Sequence, residues 1–324
     1  MPNIETLRSF DAIKVLADSR RLEILRRLMA SPATLTQLGR LLRRSPAWIR
    51  HHIAALERAS LVQLHEVRVV GRTREKYYQA AAGALLLDQL VLPKTRLPII
   101  VFSGSHDPAV QAVADALGGK HLFLTLYVGS LNGLTNLRQG VCNLTGIHLL
   151  DETGEYNRPY VRHFFADREV ALVTLAYRTQ GLMLAPGNPR SIRRIQDLTR
   201  RGIRFVNRNA GSGTRLWLER EFHASGIDSR SVEGYARQVS THTQAAWWIK
   251  AGRADVALGL QAAAHLHGLD FVPLFEERYD LVLSPDAGKT LAPLLNYIQT
   301  AAFRTSLKAM TGYSTAHSGE QIPL

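Results

Sequence analysis

A loop of hydroxyl, glycine and arginine residues at 207–215 has the composition of an anion pocket. The apolar residues 203–206 before it predict a short strand, and the spacing of apolar residues after it predicts a helix that begins near Leu216. A helix start leaves backbone N–H groups without intrahelical acceptors, and its dipole favours negative charge. The chemistry expected here is therefore the binding of a small oxyanion.

Hydroxyl residues at other predicted helix starts extend this site. The glycines around Ser212 make a poor helix but permit close backbone approach, which favours ligand contact over simple N-capping. Capping remains the alternative for every serine here, Ser130 in particular, and hinge packing is the alternative for Tyr279. The predicted ligand-binding residues are Ser103, Ser105, Ser130, Arg208, Ser212, Gly213, Thr214, Arg215, Thr241, His242 and Tyr279.

Two arginines widen the range of anions that this pocket could hold. Neutral donors alone can bind a fully ionised tetrahedral oxyanion. A guanidinium would also bind phosphate, sulfate or a carboxylate by donating paired hydrogen bonds. Instead of contacting a ligand, Arg208 or Arg215 could face solvent or pair with a neighbouring acidic residue. His148 is either a cleft residue or a satisfied core histidine.

The same region lacks the usual sequence motifs of an enzyme. Residues 211–213 lack the Gly-x-Ser-x-Gly spacing of a nucleophile elbow, and residues 288–290 are no P-loop because Leu283 replaces its first glycine. The single cysteine, Cys142, excludes an internal disulfide and a cysteine-cluster metal site, and its apolar surroundings predict a core thiol. We predict no catalytic residue, no metal site and no cofactor.

The elements that position the predicted pocket alternate between strand and helix. Residues 98–150 follow the order strand, helix, strand, helix, strand, and a similar order recurs from residue 170. This alternation predicts two α/β lobes with a doubly wound parallel sheet, whose ligands bind at the carboxyl ends of strands.

The first eighty residues have a different pattern. Apolar positions repeat at helical spacing over residues 12–16, 19–29 and 34–42, and Ser45 with Pro46 marks the start of a further helix. Two β-rich runs then meet at residues 71–72, as in a hairpin. The order predicts a winged helix-turn-helix.

Positive charge is concentrated in this segment. Residues 1–82 hold 15 of the 40 Lys and Arg residues but only 7 of the 27 Asp and Glu residues. A basic small domain fits binding to the DNA backbone, although a solvated arginine-rich surface has the same composition. The predicted DNA contacts are Ser45, Ala47, Trp48, Arg50 and His51 on the recognition helix and Arg72, Arg74 and Lys76 on the wing.

Several of these assignments have a competing interpretation. Arg50 fits either DNA contact or a solvated helix face. Trp48 fits DNA contact or the core, and we favour the core. His51 and His52 point in different directions from one helix, so a shared metal ion is not expected, and His52 is predicted to pack inward.

The length of 324 residues allows several domains. We predict a DNA-binding domain at residues 1–82, a linker at 83–97 and a two-lobed domain at 98–324. Lobe I comprises 98–178 and 280–324, and lobe II comprises 179–279. The sequence shows neither an export signal nor an apolar run that could span a bilayer, so we expect a cytoplasmic protein with no membrane partner.

The N-terminal segment resembles the ArsR-type winged-helix repressors. The resemblance rests on residues 34–38, 45–56 and 59–62. It implies DNA binding. The chain lacks the cysteine pairs that many members use to hold metal, and Ser60 stands where a glycine is commoner.

The remainder is similar to the type II periplasmic-binding-protein-like domains, and within them to the cytoplasmic molybdate-binding-like subgroup. The segments that carry this similarity are 104–107, 129–134, 146–151, 207–215, 252–259 and 277–281. The two resemblances imply an α/β two-lobed periplasmic-binding-protein-like domain of type II, preceded by an α+β winged helix-turn-helix domain. Molybdate or tungstate is the effector that they imply.

These inferences combine into one hypothesis. The chain is a transcriptional regulator that binds a double-stranded DNA operator as a homodimer or higher homo-oligomer and senses molybdate, tungstate or another small oxyanion. The alternatives are the same architecture sensing phosphate, sulfate or a small carboxylate, and an enzyme that uses the cleft between the lobes.

Overall fold

The computed structural model describes residues 3–7, 9–71, 73–87 and 90–324. The chain divides into two compact units, Met1–Pro93 and Lys94–Leu324. Within the described ranges, no helix is both long and apolar enough to cross a membrane.

The N-terminal unit is a winged helix-turn-helix. Its helices are α1 (Phe10–Leu16), α2 (Ser19–Ala30), α3 (Leu35–Leu42) and α4 (Pro46–Arg58), and its strands are β1 (Ile4–Leu7), β2 (Ala33–Thr34), β3 (Val62–Val70), β4 (Thr73–Ala80) and β5 (Ala84–Leu87). Strands β2, β4 and β3 form a three-stranded sheet whose β3–β4 hairpin is the wing. This confirms the predicted order of elements.

Local capping fixes the helix starts in this unit. Asp18 caps α2, and Thr34 forms a reciprocal capping box with Gln37 at the start of α3. Apolar residues of α2, α3 and α4, among them Leu25, Leu38 and Ile53, then form one buried core.

The predicted linker at 83–97 contains a strand. Residues Ala84–Leu87 pair in parallel with Ile4–Leu7, so β5 belongs with the N-terminal unit. The turn signals and prolines of this stretch gave no indication of that pairing, because its partner lies about 80 residues away in sequence.

The C-terminal unit is a two-lobed α/β domain. Its helices are α5 (Pro108–Leu117), α6 (Ser130–Arg138), α7 (Arg158–Phe164), α8 (Gly213–Ala224), α9 (His242–Lys250), α10 (Gln261–Leu266), α11 (Gly288–Ile298) and α12 (Ala301–Lys308). Its strands are β6 (Ile99–Gly104), β7 (Leu122–Tyr127), β8 (Leu144–Ile147), β9 (Ala171–Leu184), β10 (Phe205–Arg208), β11 (Gln238–Val239), β12 (Val256–Leu260), β13 (Asp270–Leu283), β14 (Tyr313–Ser314) and β15 (Gln321–Ile322). Short 3-10 helices lie at Ile195–Thr199, Ser229–Ser231 and Pro285–Ala287.

The sheet is mixed rather than wholly parallel. Its order is β11-β10-β12-β9-β13-β8-β6-β7, and β14 and β15 also pair with β9. Strands β6, β7 and β8 are parallel, and so are β10, β11 and β12, as the alternating pattern predicts. The long strands β9 and β13 pair antiparallel to each other. The two-lobed α/β fold is confirmed, but the predicted parallel pairing is wrong at the centre of the sheet, where β9 and β13 lie.

Strands β9 and β13 connect the two lobes. In lobe I they contribute Val173 and Leu281 to a core with α5, α11 and α12. In lobe II they contribute Leu182 and Val272 to a core with α8. Polar residues midway along both strands consequently lie where the lobes meet.

Candidate functional site

The predicted recognition helix presents several polar side chains to solvent. Ser45 caps α4, and its Oγ accepts from the Trp48 backbone N–H at 3.2 Å. Ala47, Arg50 and His51 are exposed. The helix start that Ser45 and Pro46 predicted therefore leaves three of the predicted DNA contacts accessible on α4.

Trp48 and His52 belong to the interior of this unit. The half-buried Trp48 packs against the N-terminal core, and its ring lies 4.1 Å from that of His52. The Arg44 guanidinium stands 5.3 Å above the Trp48 ring. His52 is buried, and burial lowers its pKa. The structure supports the core interpretation for both rings.

The wing adds further exposed cations. Arg74 and Lys76 are exposed on β4, two positions apart and thus on the same side of the strand. Arg72 lies outside the described residues. We refer to Ala47, Arg50, His51, Arg74 and Lys76 as the recognition face.

A second polar cluster is buried between the lobes of the C-terminal unit. The loops after β6 and β8 contribute residues from lobe I, the strands β9 and β13 contribute residues from the crossing point, and the loops before α8 and α9 contribute residues from lobe II. We term this cluster the interlobe centre. It comprises the buried residues Ser105, Asp107, His148, Arg178, Gln180, Arg208, Thr214, His242 and Glu277, together with the half-buried His106.

Arg178 is neutralised inside this cluster. Its Nε donates to Glu277 Oε1 at 2.6 Å, and its Nη1 pairs with Asp107 Oδ2, which also accepts from the Tyr313 hydroxyl. Burial opposes the charge of Arg178, but the two carboxylates outweigh burial and raise its pKa. The pKa of Glu277 would rise on burial, yet Arg178 and His148 hold it at about 2.

The Glu277 carboxylate also begins a series of hydrogen bonds that runs through His148 to Ser105. His148 Nδ1 lies 2.7 Å from Glu277 Oε2, and His148 Nε2 lies 2.7 Å from Ser105 Oγ. Burial lowers the pKa of His148 despite the nearby carboxylate, so the ring is neutral. Since Glu277 only accepts, the proton of His148 is on Nδ1.

Arg208 differs from Arg178 in its partners. It is 1% exposed and donates to two backbone oxygens, Val239 O at 3.4 Å and Ser240 O at 2.8 Å. Among the described residues, no carboxylate pairs with it and its Nη1 has no hydrogen-bond partner. Burial, followed by the charge of Arg178, lowers its pKa to about 9. The interlobe centre thus contains a buried positive charge without a protein counterion in the described part of the chain.

Two histidines complete the neighbourhood of Arg208. The rings of His106 and His242 are 6.3 Å apart, and both are coupled electrostatically to Arg208. His106 Nδ1 and both ring nitrogens of His242 are buried without a partner in the described ranges. Burial lowers the pKa of His106 to about 4 and that of His242 well below its usual value, so both rings are neutral. Each neutral ring carries one N–H that can donate to a ligand.

The predicted hydroxyl residues already accept hydrogen bonds from the protein. Ser212 and Thr241 cap α8 and α9. Ser103 Oγ accepts from Asn136, and Thr214 Oγ1 accepts from Gln180 at 3.0 Å. A hydroxyl that accepts keeps its own hydrogen free to donate, so these contacts are compatible with ligand binding.

Ser130 does not cap its helix. The N-cap of α6 is Gly129, and Ser130 Oγ instead accepts from the backbone N–H of His148 at 3.2 Å. The capping alternative for this residue is wrong, because the chain turns into the helix one residue earlier at a glycine with φ of 88°.

The glycine loop brings the two lobes into direct contact. The Leu131 backbone N–H donates to Gly211 O at 3.2 Å, and Asn209 Nδ2 donates to Val128 O at 3.0 Å. A Cβ atom at Gly213 would overlap the carbonyl oxygen of His148. The backbone of this loop therefore packs against lobe I, and the predicted approach of its glycines to a ligand stays a prediction.

Two predicted ligand residues have other partners. Arg215 Nε donates to Glu219 at 2.8 Å, and its guanidinium lies 5.0 Å from the Tyr235 ring centroid. The Tyr279 hydroxyl donates to Ser105 O at 2.6 Å, while its ring lies under Arg178 at 4.3 Å. The structure thus gives Arg215 an acidic neighbour and places Tyr279 as packing at the hinge.

The sequence prediction omitted most of the charged residues of the interlobe centre. Asp107, Arg178 and Glu277 were not predicted as site residues, and neither were the uncharged His106 and Gln180. A signal was present in β9, where Arg178 and Gln180 stand in the middle of a strand that is mostly apolar. Within the described residues, no group of three or more His, Cys, Asp or Glu side chains could hold a metal ion. Burial raises the pKa of the Cys142 thiol to about 12.

Comparison with known proteins agrees with both units. The model of the PBP superfamily domain matches residues 111–299, and that of the bacterial regulatory protein arsR family matches residues 18–63. The uncharacterized protein YvgK of Bacillus subtilis (strain 168) is 36% identical over 200 residues, which are 61% of this chain and 65% of YvgK. An uncharacterized protein in the ferredoxin 2Fe-2S gene 5' region of Clostridium pasteurianum is 31% identical over 110 residues, 33% of this chain and 97% of that protein.

Comparison with solved structures found, among others, two phosphate transport proteins. A putative phosphate ABC transporter substrate-binding protein from Clostridium perfringens has 14% identity and a TM-score of 0.48, with 65% of this chain and 97% of that chain covered. An ABC-type phosphate transport receptor from Vibrio cholerae has 16% identity and a TM-score of 0.43, with 66% and 98% covered.

One chain thus joins a winged helix-turn-helix unit that matches the arsR family model to a two-lobed α/β unit that matches the PBP superfamily model. The PBP superfamily model covers more than half of the sequence. The chain belongs to the PBP superfamily.

Proposed function

We propose that this regulator senses a small oxyanion held in the interlobe centre. Arg208 is the observation that carries the proposal. A guanidinium buried at 1% exposure, with no carboxylate partner among the described residues and a free Nη1, is costly unless an anion completes it. The neutral rings of His106 and His242 add donors near the same charge, and the Thr214 hydroxyl adds a donor within the same cluster.

Molybdate and tungstate are the effectors that the sequence resemblance favours, and phosphate, sulfate or a small carboxylate is the alternative. Thermal-shift titration separates them, because a ligand that binds only the native state raises the melting temperature. We expect at least one of these anions to stabilise the wild type and none to stabilise Arg208→Met. The matched control is Arg253→Met, an exposed arginine outside the site, which should keep the full shift. The absence of any shift in the wild type would contradict the proposal.

The recognition face supports operator binding by a homodimer. A single winged helix reads few base pairs, and two-fold pairing doubles the site. If the anion changes the affinity of the protein for its operator by some factor, thermodynamic linkage requires that operator binding change the affinity for the anion by the same factor. Light scattering gives the oligomeric state, and DNA-binding titrations with and without anion measure the coupling. Because a DNA-binding regulator acts where the DNA is, the proposal places this protein in the cytoplasm.

The hydrogen-bond chain from Ser105 through His148 to Glu277 favours one other candidate, a hydrolase. Its order matches nucleophile, base and acid. Glu277, however, also neutralises Arg178 and accepts from Gln180, and its pKa of about 2 makes it a weak base toward His148. The buried ring of His148 also disfavours the imidazolium that catalysis requires. Recovery of every bound ligand unchanged, with no labelling of Ser105 by a fluorophosphonate, is the result expected for a sensor.

A further inference from the structure

The chain from Glu277 to Ser105 fixes the direction of each hydrogen bond. Glu277 is ionised and can only accept, so the hydrogen of His148 lies on Nδ1 and its Nε2 has a lone pair. Ser105 Oγ, 2.7 Å from Nε2, must therefore donate its hydrogen to His148. Toward any other group, the Ser105 hydroxyl oxygen offers lone pairs only.

Gln180, like Ser105, has only acceptor capacity left for another group. Its Nε2 donates to Glu277 Oε1 at 2.5 Å and to Thr214 Oγ1 at 3.0 Å, which uses both amide hydrogens. The ionised carboxylate also settles which amide atom faces Glu277, because oxygen in that place would repel it. Gln180 Oε1 is buried and has no partner within the described residues. An amide oxygen can only accept.

The interlobe centre also contains unused hydrogen-bond donors. Arg208 Nη1 and Arg178 Nη2 are buried and without a partner in the part of the chain that the structure describes. Thr214 Oγ1 accepts from Gln180 and so keeps a hydrogen to donate. An anion whose oxygens only accept would satisfy the donors, but it would meet the lone pairs of Ser105 or Gln180 with another negative oxygen.

We propose that the ligand of the interlobe centre carries an O–H or N–H donor beside its anionic oxygens. Hydrogen phosphate and hydroxy- or amino-carboxylates have this chemistry. Sulfate, molybdate and tungstate do not when fully ionised. The inference rests on the proposed function and narrows it to a class of ligand.

Calorimetric titration of the full chain tests this with matched pairs of anions. Hydrogen phosphate and sulfate are both tetrahedral dianions, but only hydrogen phosphate carries an O–H donor. Glycolate and acetate are both carboxylates, but only glycolate carries a hydroxyl group. We expect the donor-bearing member of one pair to bind at least 100-fold more tightly, since sites built around buried hydrogen bonds reject analogues that lack the partner by up to about 10⁴–10⁵-fold. The pair that discriminates separates a phosphate ligand from a carboxylate ligand.

The variant Ser105→Ala removes one acceptor without adding charge. It should reduce discrimination within the preferred pair at least tenfold, mainly by weakening the donor-bearing anion. Ser318→Ala is the control, because Ser318 is buried in the same unit and bonds to Leu175 O away from the interlobe centre. Equal or tighter binding of sulfate, molybdate or acetate would overturn this inference and leave oxyanion sensing intact. Binding of none of the anions would overturn both.

Discussion

The recognition face and the interlobe centre both depend on arginine, but their surroundings give arginine opposite roles. Arg50 and Arg74 are exposed, where water and salt screen their charges. Arg178 and Arg208 are buried, where every charge needs a partner. Exposed cations suit an extended polyanion with salt-dependent affinity. A buried cation without a counterion suits one small anion.

The two buried arginines of the interlobe centre differ in their partners. Arg178 lies between the carboxylates of Asp107 and Glu277, which neutralise it in the protein itself. Arg208 has backbone oxygens only among its described partners. One buried arginine is therefore neutralised within the protein, and the proposed function assigns the other to the ligand.

The largest expected effect is on stability. Arg178→Met leaves two buried carboxylates without their counterion and should lower the free energy of unfolding by about 3–5 kcal/mol. Urea denaturation measures the change, with Arg253→Met as an exposed control expected within about 0.5 kcal/mol of wild type. A loss below about 1 kcal/mol for Arg178→Met would remove the distinction between the two buried arginines.

Arg208→Met should not lower the free energy of unfolding of the anion-free protein. Removal of an uncompensated buried charge leaves the free energy of unfolding without anion unchanged, or raises it by about 1 kcal/mol, because the desolvation cost disappears. The stabilisation by anion should be lost at the same time. Denaturation with and without the effective anion measures both quantities. Destabilisation of the anion-free variant by more than about 2 kcal/mol would make Arg208 a structural residue like Arg178.

The difference between the two regions also explains what the sequence could predict. The elements that carry the recognition face follow from local signals: Ser45 with Pro46 marks the start of α4, and residues 71–72 mark the hairpin. The loop at 207–215 is also a local signal, and the structure places its glycines against the other lobe.

The charged network of the interlobe centre comes from distant parts of the chain. Arg178 pairs with Asp107 at a separation of 71 residues and with Glu277 at 99, and His148 meets Glu277 at 129. No spacing rule links such positions, and Asp107 alone has the pattern of a helix cap, a role that it also fills. Their assembly depends on the antiparallel pairing of β9 with β13, which the alternating α/β pattern did not predict.

On the recognition face, Arg50→Ala should weaken DNA binding by about 1–3 kcal/mol if Arg50 contacts a base, and it should relax specificity at one position. Arg74→Ala should weaken binding to all sequences and reduce the slope of log affinity against log salt by about 0.9, as for a phosphate contact. Fluorescence anisotropy at several salt concentrations measures both. Lys120→Ala, exposed in the other unit, is the control. An anion-induced thermal shift that falls in either variant would contradict the separation of the two regions.

The smallest effect concerns the turn between α4 and β3, which connects the recognition helix to the wing. Ser60 has φ of 58° there, in the left-handed region that costs a residue with a side chain about 1–2 kcal/mol. Ser60→Gly should therefore raise the free energy of unfolding by about 1 kcal/mol, whereas Ala59→Gly, at φ of −87°, should lower it by about 0.5–1 kcal/mol. Urea midpoints measure both changes. DNA affinity should stay the same in Ser60→Gly, since the exposed cations are untouched; a weaker affinity would mean that the recognition face depends on this strained turn as well as on its charges.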